Sequence, residues 1–559
     1  MKTDCMPFTA IPHNSRLFLD FLFQFDKVRG FYAHRPKQEA VLEYARKLDF
    51  PAERRAQVAR VLERQNRAWG ASAATLESIE RLRQGAVACI SGQQVSLLGG
   101  PLYSLLKAVS ALEMAAQLTA QGCPAVPVFW LATEDHDLVE VAGITLPNRC
   151  ELEKLTTRAQ TDSQAPVGRV PLPPEIAAVV ERAAQLLEQG RVEQGRMEQG
   201  SVEPGCAPPS TQVPDPAWVT GALRESYRAG ESYGSAFARL FTRLLAGTGL
   251  ILVDPLDDEL HAIAQPLLME AANRAAELDE ALLERGHALH RAGYHEQVRV
   301  TPDSTLLFSL EGNRRTVLHR ADGGFLLGAR RAGPQELLER IAAHPEQFSA
   351  NVLLRPVMQD YLFPTAVYFA GPSEIAYFAQ AAVVYEKLLG RSTPVLPRLS
   401  ATLIGPDIGE LLERYSLSFC DLFHGSQQVS EVLASHVLAP ELRQALEQSR
   451  EALEGNLQAV EAELQKLDPT LVEAAARSRR KMLYQLSKIG SKAARAELRR
   501  NPQLAQEACR VLTELFPNKE LQERVLPGIY FLAQYGPELL ATLKQAAAHP
   551  CPGHQIVRL

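Results

Sequence analysis

Four consecutive residues, Glu134-Asp135-His136-Asp137, set three carboxylates around one imidazole just after the apolar run 125–131. Like charges this close raise one another's pKa. Such a cluster suits binding an amine, holding a metal, or tuning His136 as a base that takes a proton from an attacking amine. A solvated loop, or a helix start with Asp135 or Asp137 at the cap, accounts for the same residues without chemistry. A second polar group follows the run 86–90: Ser91-Gly92-Gln93-Gln94, then Leu98-Gly99-Gly100-Pro101-Leu102-Tyr103, with Lys107 on the next helical stretch. Glycine turns and helix N-termini expose unpaired amides that attract anions; ordinary turn chemistry is the plainer account. Arg355 and Arg398 are candidate carboxylate clamps because guanidinium pairs bidentately with carboxylates, or else members of buried ion pairs. Glu374 and Tyr377 follow a further apolar run, 365–370; aromatic packing is the plainer role for Tyr377.

These groups need a scaffold, and the apolar pattern supplies one. Strand 86–90, helix 104–118 and strand 125–131 read as a right-handed βαβ unit of a parallel sheet. Ligands collect at the carboxyl ends of such strands, where both polar groups lie. Runs at 249–254, 365–370 and 400–404 supply three more strands, and Asp254 ends one of them. Residues 36–84 read as helices. Short alternating runs over 301–329, with turns at Gly312-Asn313 and Asp322-Gly323, predict a small antiparallel insertion. The tandem Glu188-Gln-Gly-Arg-Val, Glu193-Gln-Gly-Arg-Met, Glu198-Gln-Gly-Ser-Val cannot build a core, so 188–216 is expected to be a surface expansion without a catalytic part.

The last third is helical. Leucines from Leu442 to Leu471 follow a heptad stripe, broken at Asp468-Pro469 before a second helix running to about Arg500. Two such helices predict an antiparallel arm roughly 45 Å long at about 1.5 Å per residue. Arg477, Arg479, Arg480, Lys481, Lys488, Lys492 and Arg495 make its second half basic, a solvated face or a contact for phosphate or an acidic partner. Leu483, Leu486 and Ile489 add an apolar strip that a second copy would cover, which predicts a homodimer. His554 to Leu559 reads as a final edge strand. The expected blocks are 1–155 and 249–300 for the first part of the core, 156–248 and 301–345 as insertions, and 346–430 for the rest of the core. The arm follows at 431–505 and a returning segment at 506–559.

Composition narrows the function. A chain of 559 residues with net charge −6 carries no global nucleic-acid footprint. No apolar run reaches membrane-spanning length and the N-terminus lacks a signal-peptide core. Eight cysteines without C-x-x-C pairs indicate neither a zinc ribbon nor a disulfide scaffold. A reducing cytoplasm is expected. G-x-x-x-x-G-K-[ST] and the kinase motifs are absent, as is G-x-G-x-x-G at the first turn, which disfavours P-loop phosphoryl transfer and dinucleotide redox chemistry. Metal-dependent hydrolysis at 134–137 is disfavoured because adjacent ligands alternate direction.

Ser91-Gly-Gln-Gln94, Gly100-Pro-Leu-Tyr103 with Lys107, Phe129-Trp130 and Glu134-Asp-His-Asp137 resemble the BshC family, the cysteine-adding enzymes of bacillithiol biosynthesis. So do Leu354-Arg-Pro-Val-Met-Gln-Asp360, Gly371-Pro-Ser-Glu-Ile-Ala-Tyr377 and Pro397-Arg-Leu-Ser-Ala401. The resemblance implies an α/β, Rossmann-like core related to class I aminoacyl-tRNA synthetases, with connecting insertions and a C-terminal helical coiled coil. It implies a ligase that joins cysteine to glucosaminyl-malate, with Trp130 among the binding residues. Forming that amide requires an activated carboxyl, so ATP or another adenine nucleotide is the expected cofactor, with at most a Mg ion accompanying it. The H-x-G-H and K-M-S-K-S signatures of adenylate-forming synthetases are missing. Gly92-Gln93-Gln94 stands where the first would be. A catalytically silent scaffold that works through its coiled coil is the alternative reading.

Overall fold

The computed structural model describes residues 2–158, 164–200, 215–328, 330–424 and 438–559, with the backbone alone at 2, 190–200, 424 and 498. The central sheet has five parallel strands: β1 (Val87–Gln93), β2 (Ala125–Leu131), β3 (Ile251–Val253), β4 (Thr365–Ala370) and β5 (Val395–Pro397). Their order is β5-β4-β1-β2-β3. Continuous burial explains the unbroken apolar runs: β2 and β4 are buried at every position. The chain moves from β1 toward one edge through β2 and β3, then returns to the other side of β1 for β4. A crevice therefore opens beyond the carboxyl ends of β1 and β4, where the direction of winding reverses. Helix α1 (Leu102–Ala120) joins β1 to β2, and α2 (Pro372–Leu389) follows β4. Ala111 and Leu118 of α1 pack into one buried cluster with Cys89, Ala125 and Val367.

The fifth strand is not the expected 400–404. Val395, Leu396 and Pro397 pair with Tyr368, Phe369 and Ala370. Prolines at 394 and 397 hide this strand in the sequence, and an edge strand is where proline is tolerated. Ala401–Ile404 instead joins a three-stranded sheet with Lys2–Met6 and His554–Arg558. The latter is the expected final strand, here in the middle of its sheet. Cys5 and Cys551 beside it form a disulfide, which cysteine spacing did not predict. Cys89 and Cys123 are buried free thiols, as expected of small apolar residues, whereas Cys420 is exposed.

The antiparallel insertion comprises Ser304–Glu311, Arg314–Ala321, Gly324–Leu327, Arg330–Ala332 and, beyond the expected limit, Phe348–Ala350. Asp322 and Gly323 both take positive φ, as a two-residue hairpin turn requires. The helix Ile176–Gly200 continues through most of the tandem repeat, so 188–200 is helical rather than loop; 201–214 lie outside the described residues. Two compact units are present. The first holds 1–146, 153–402 and 523–557, and the second 147–152, 403–522 and 558–559. The block expected at 346–430 is thus divided at Thr402, and the returning segment 506–559 is shared between units. Within the second unit, Pro440–Leu467 and Thr470–Arg500 form the expected helical hairpin, with Asp468 accepting from the Thr470 amide. Arg479 bonds Glu461 across the pair at 3.0 Å. Among the described residues no helix is long and apolar enough to cross a membrane.

Strand β3 lies at the sheet edge, and a helix, Ala52–Ala68, completes its hydrogen bonding with side chains. The buried Asn66 amide donates to Leu252 O at 2.8 Å and accepts from Leu252 N at 3.1 Å. Gln65 does the same for Asp254, at 2.9 and 3.1 Å. Replacing Asn66 by Leu orphans two buried backbone groups, each worth roughly 1–3 kcal/mol. The urea midpoint of Asn66→Leu should fall by an amount equivalent to about 2–6 kcal/mol; an unchanged midpoint would refute this account.

Candidate active site

At the carboxyl ends of β1 and β4 lies a cavity of about 370 Å³, all within the first unit. The first βα turn shapes its floor. A Cβ on Gly92 would stand 2.6 Å from Trp130 O, so only glycine lets β1 and β2 run this close. Leu98, Gly99 and Gly100 then take positive φ in succession, which delivers the chain into α1. The amides of this turn are already used. Gly99 N donates to Ser96 O and the Tyr227 hydroxyl, and Gly100 N to Leu97 O. Neither glycine lines the cavity, which corrects the expectation that they cradle an anion; their role is conformational.

Lys107 is corrected too. Its ammonium donates to Gly92 O at 2.7 Å and Gln93 Oε1 at 2.8 Å, and pairs with Glu374 Oε2 at 2.5 Å. An ammonium has three protons, so none remains for a ligand. Burial disfavours charge on both partners, but the Lys107 charge and the Gly371 N–H hold the Glu374 carboxyl below its usual range. The lysine thus ties the end of β1 to the head of α2. It also turns the Gln93 carbonyl inward, leaving its amide nitrogen toward the Tyr103 hydroxyl at 3.5 Å. Glu374 further accepts from the Tyr368 hydroxyl at 2.8 Å and from Gly371 N at 2.7 Å. Burial pushes the Tyr103 phenol up to about 12, so it stays neutral.

Of the cluster 134–137, only Asp135 lines the cavity. Its carboxylate accepts from Gln94 Nε2 at 2.7 Å, and the same nitrogen reaches Glu140 at 3.1 Å. Glu134 points elsewhere, to the buried His261 at 3.1 Å. His261 Nδ1 faces Pro345 O, which can only accept, so the ring carries a proton there as well as sharing one with Glu134. Burial opposes the charge on His261, but the Glu134 carboxylate outweighs it and raises its pKa. Asp137 caps a four-residue helix by accepting from Glu140 N. The His136 ring lies outside the cavity lining, with Nδ1 at 3.4 Å from Arg315. Neighbouring residues in one turn diverge, and among the described residues no group of three His, Cys, Asp or Glu is placed to hold a metal ion.

The opposite wall is cationic. Arg355 donates to the Tyr377 hydroxyl at 2.8 Å and lies 5.5 Å from the Tyr368 ring centre, with no carboxylate in ion-pair reach among the described residues. Tyr377 is therefore more than aromatic filling. Arg398 is in a buried bidentate pair with Glu523. Pro372 and Ser373 bring the head of α2, with its positive dipole end, to the same wall. Trp130 completes the lining, its Nε1 buried without a partner. Sequence reasoning missed Tyr368, Glu140 and Arg524 as cavity residues. Glu140 was legible as the acid three residues beyond the Asp137 cap. Arg524 carried no signal, since it arrives from far along the chain.

A doubly wound parallel sheet with a polar crevice at its switch point defines a Rossmann-like ligand-binding core. The family model described as "Bacillithiol biosynthesis BshC, N-terminal Rossmann-like domain" matches residues 1–201 and 216–399. The C-terminal coiled-coil domain of the same family matches residues 401–559. The chain belongs to the BshC family of bacillithiol biosynthesis. It is 43% identical to a Koribacter versatilis protein over 100% of both chains, and 34% identical to one of Solibacter usitatus over 100% of both. A Geobacillus thermodenitrificans protein is 28% identical over 98% of each. All three carry the name "Putative cysteine ligase BshC".

Lys107→Met leaves Glu374 charged in a buried place without its partner, a change worth roughly 3–5 kcal/mol. Its melting temperature should drop by about 3–6 degrees, or its expression fail. Lys107→Met,Glu374→Gln should recover much of the loss. A single variant as stable as wild type would show that the pair does not close the crevice.

Proposed function

We propose that this chain is a ligase that forms an amide between the carboxyl of cysteine and the amine of glucosaminyl-malate, giving bacillithiol. The observation that carries the reading is the bipolar cavity at the switch point. Arg355, Arg524 and the head of α2 form one wall, and Asp135 and Glu140, bridged by Gln94, form the other. A substrate with two carboxylates and an amine matches such a cavity end for end. The malate carboxylates sit on the arginines. The Asp135–Glu140 pair binds the amine as ammonium and takes the proton whose loss frees the lone pair for attack, and a second N–H proton leaves as the new C–N bond forms. Gln93, Tyr103 and Trp130 offer donors to sugar or carboxyl oxygens. Direct condensation in water is unfavourable, so ATP or another adenine nucleotide activates the cysteine carboxyl, with oxygen leaving on phosphate. The reaction is cytoplasmic in this reading, where cysteine and nucleotide are available.

Purified protein with cysteine, glucosaminyl-malate and ATP should yield bacillithiol by mass spectrometry, and omitting nucleotide should stop it. A silent scaffold would give no product. Asp135→Asn should lower kcat/KM by about 10²- to 10⁴-fold, the usual worth of a general base. His136→Ala, outside the lining, should stay within about fivefold on the same ground. The reverse ranking would return the base to His136.

We propose further that the helical hairpin of the second unit makes the protein a homodimer. Of the expected strip only Ile489 is exposed, Leu483 and Leu486 being half-buried; with Val460, Leu467 and Met482 it leaves apolar area in water that a second copy would cover. Sedimentation equilibrium should show a dimer for the full chain at micromolar concentration and a monomer once 438–500 are deleted. A monomeric full chain, or a dimer that survives the deletion, would refute this.

A further inference from the structure

Arg398 offers five N–H donors in a fixed planar fork. Nη1 donates to Leu399 O at 2.7 Å and to Glu523 Oε2 at 3.1 Å, and Nη2 donates to Glu523 Oε1 at 2.8 Å. The pairing is end-on. It leaves Nε–H and the second Nη2 hydrogen, which together form the side-on edge that matches a carboxylate or phosphate bidentately. That edge lies at the head of α2, where a Cβ on Gly371 would stand 3.8 Å from Nε. The Tyr103 ring, on the same cavity wall, has its centre 5.5 Å from the guanidinium.

What holds the guanidinium in this attitude is a chain of bonds whose directions are forced. Glu523 is buried and accepts from both ends of Arg398, from Ala401 N at 2.9 Å and from the Ser400 hydroxyl at 2.9 Å. A carboxylate only accepts, so the Ser400 proton points to Glu523. The Ser400 oxygen then accepts from His554 Nδ1 at 2.8 Å, and His554 Nε2 accepts from the Thr402 hydroxyl at 2.8 Å. Burial drives the His554 pKa down to about 4, so the ring is the neutral Nδ1–H tautomer near pH 7. A buried ion pair brings little net stability against its desolvation cost, so orientation is its best-founded physical return.

We propose that Glu523, locked by Ser400 and His554, is a positioning residue that presents the Nε–Nη2 edge of Arg398 to an oxyanion of a substrate in the cavity. The assignment rests on the reading of that cavity as the ligase site. The oxyanion is a carboxylate of glucosaminyl-malate or cysteine, or a phosphate of the nucleotide. All three meet the same fork, and separate titrations tell them apart.

The test is calorimetric titration of the full chain with each of glucosaminyl-malate, cysteine and ATP, alongside thermal melts and turnover. Variants are Arg398→Lys, Glu523→Gln and Ser400→Ala. Arg398→Lys should weaken one ligand by about 10- to 100-fold, the worth of charge-assisted hydrogen bonds. Ser400→Ala, which keeps both partners of the pair, should weaken that same ligand by about 3- to 10-fold and the other two by less than about twofold. The affected ligand names the oxyanion. The proposal is overturned if Ser400→Ala and Glu523→Gln leave all three affinities within twofold, or lower all three alike in step with the melting temperature. Selective weakening in a wild type that makes no bacillithiol would sink the ligase reading while supporting the positioning role. A wild type that binds none of the three would sink both.

Discussion

One ammonium group holds the crevice together. The reversal of winding between β1 and β4 separates two strand ends that no backbone ladder joins beyond the sheet, and Lys107 spans them. Its three protons meet a β1 carbonyl, the Gln93 side chain and the Glu374 carboxylate, so its charge is satisfied without solvent. The β1–β4 ladder ends at the Ile90–Tyr368 pair; beyond it, this contact sets where α2 begins and which way Gln93 faces. A lysine here is buried because every acceptor it needs is supplied locally.

The remaining charges around the cavity divide by whether they are already answered. Glu134 and His261 are a buried pair that spend their charge on each other, whereas Arg398 meets Glu523 end-on and keeps its Nε–Nη2 edge toward the cavity. Among the described residues the hydrogen-bond partners of Arg355 are the neutral Tyr377 and Gln359. Asp135 and Glu140 share one Gln94 nitrogen, and Asp135 accepts besides from the His136 backbone N–H. Electrostatic demand is therefore left open at opposite walls, positive at one and negative at the other. A ligand with matching ends gains most there, because the paired groups fix the geometry while the open ones are free to bind.

The sequence by itself determined the βαβ start, β4, the hairpin turns of the insertion and the helical arm, because each is written in local periodicity or in turn residues that only certain backbones accept. Gly92-Gln93-Gln94, Asp135 and Glu374 were legible as cavity residues because each group follows a buried strand of the sheet, and Arg355 by the chemistry of its guanidinium. Only the tertiary structure decided which neighbours among 134–137 face the cavity, since successive residues in a turn point in directions that no spacing rule supplies. The same holds for Lys107 and the amides of Gly99 and Gly100, whose donors looked available until their acceptors were in place. Strand β5 was hidden by its prolines, which mark an edge only once the sheet around it exists. Arg524, Glu523 and His554 come from a chain end that is remote in sequence, and Cys5 meets Cys551 for the same reason. Hydrophobic pattern reports how buried a residue is; which partner it meets there is set by long-range packing.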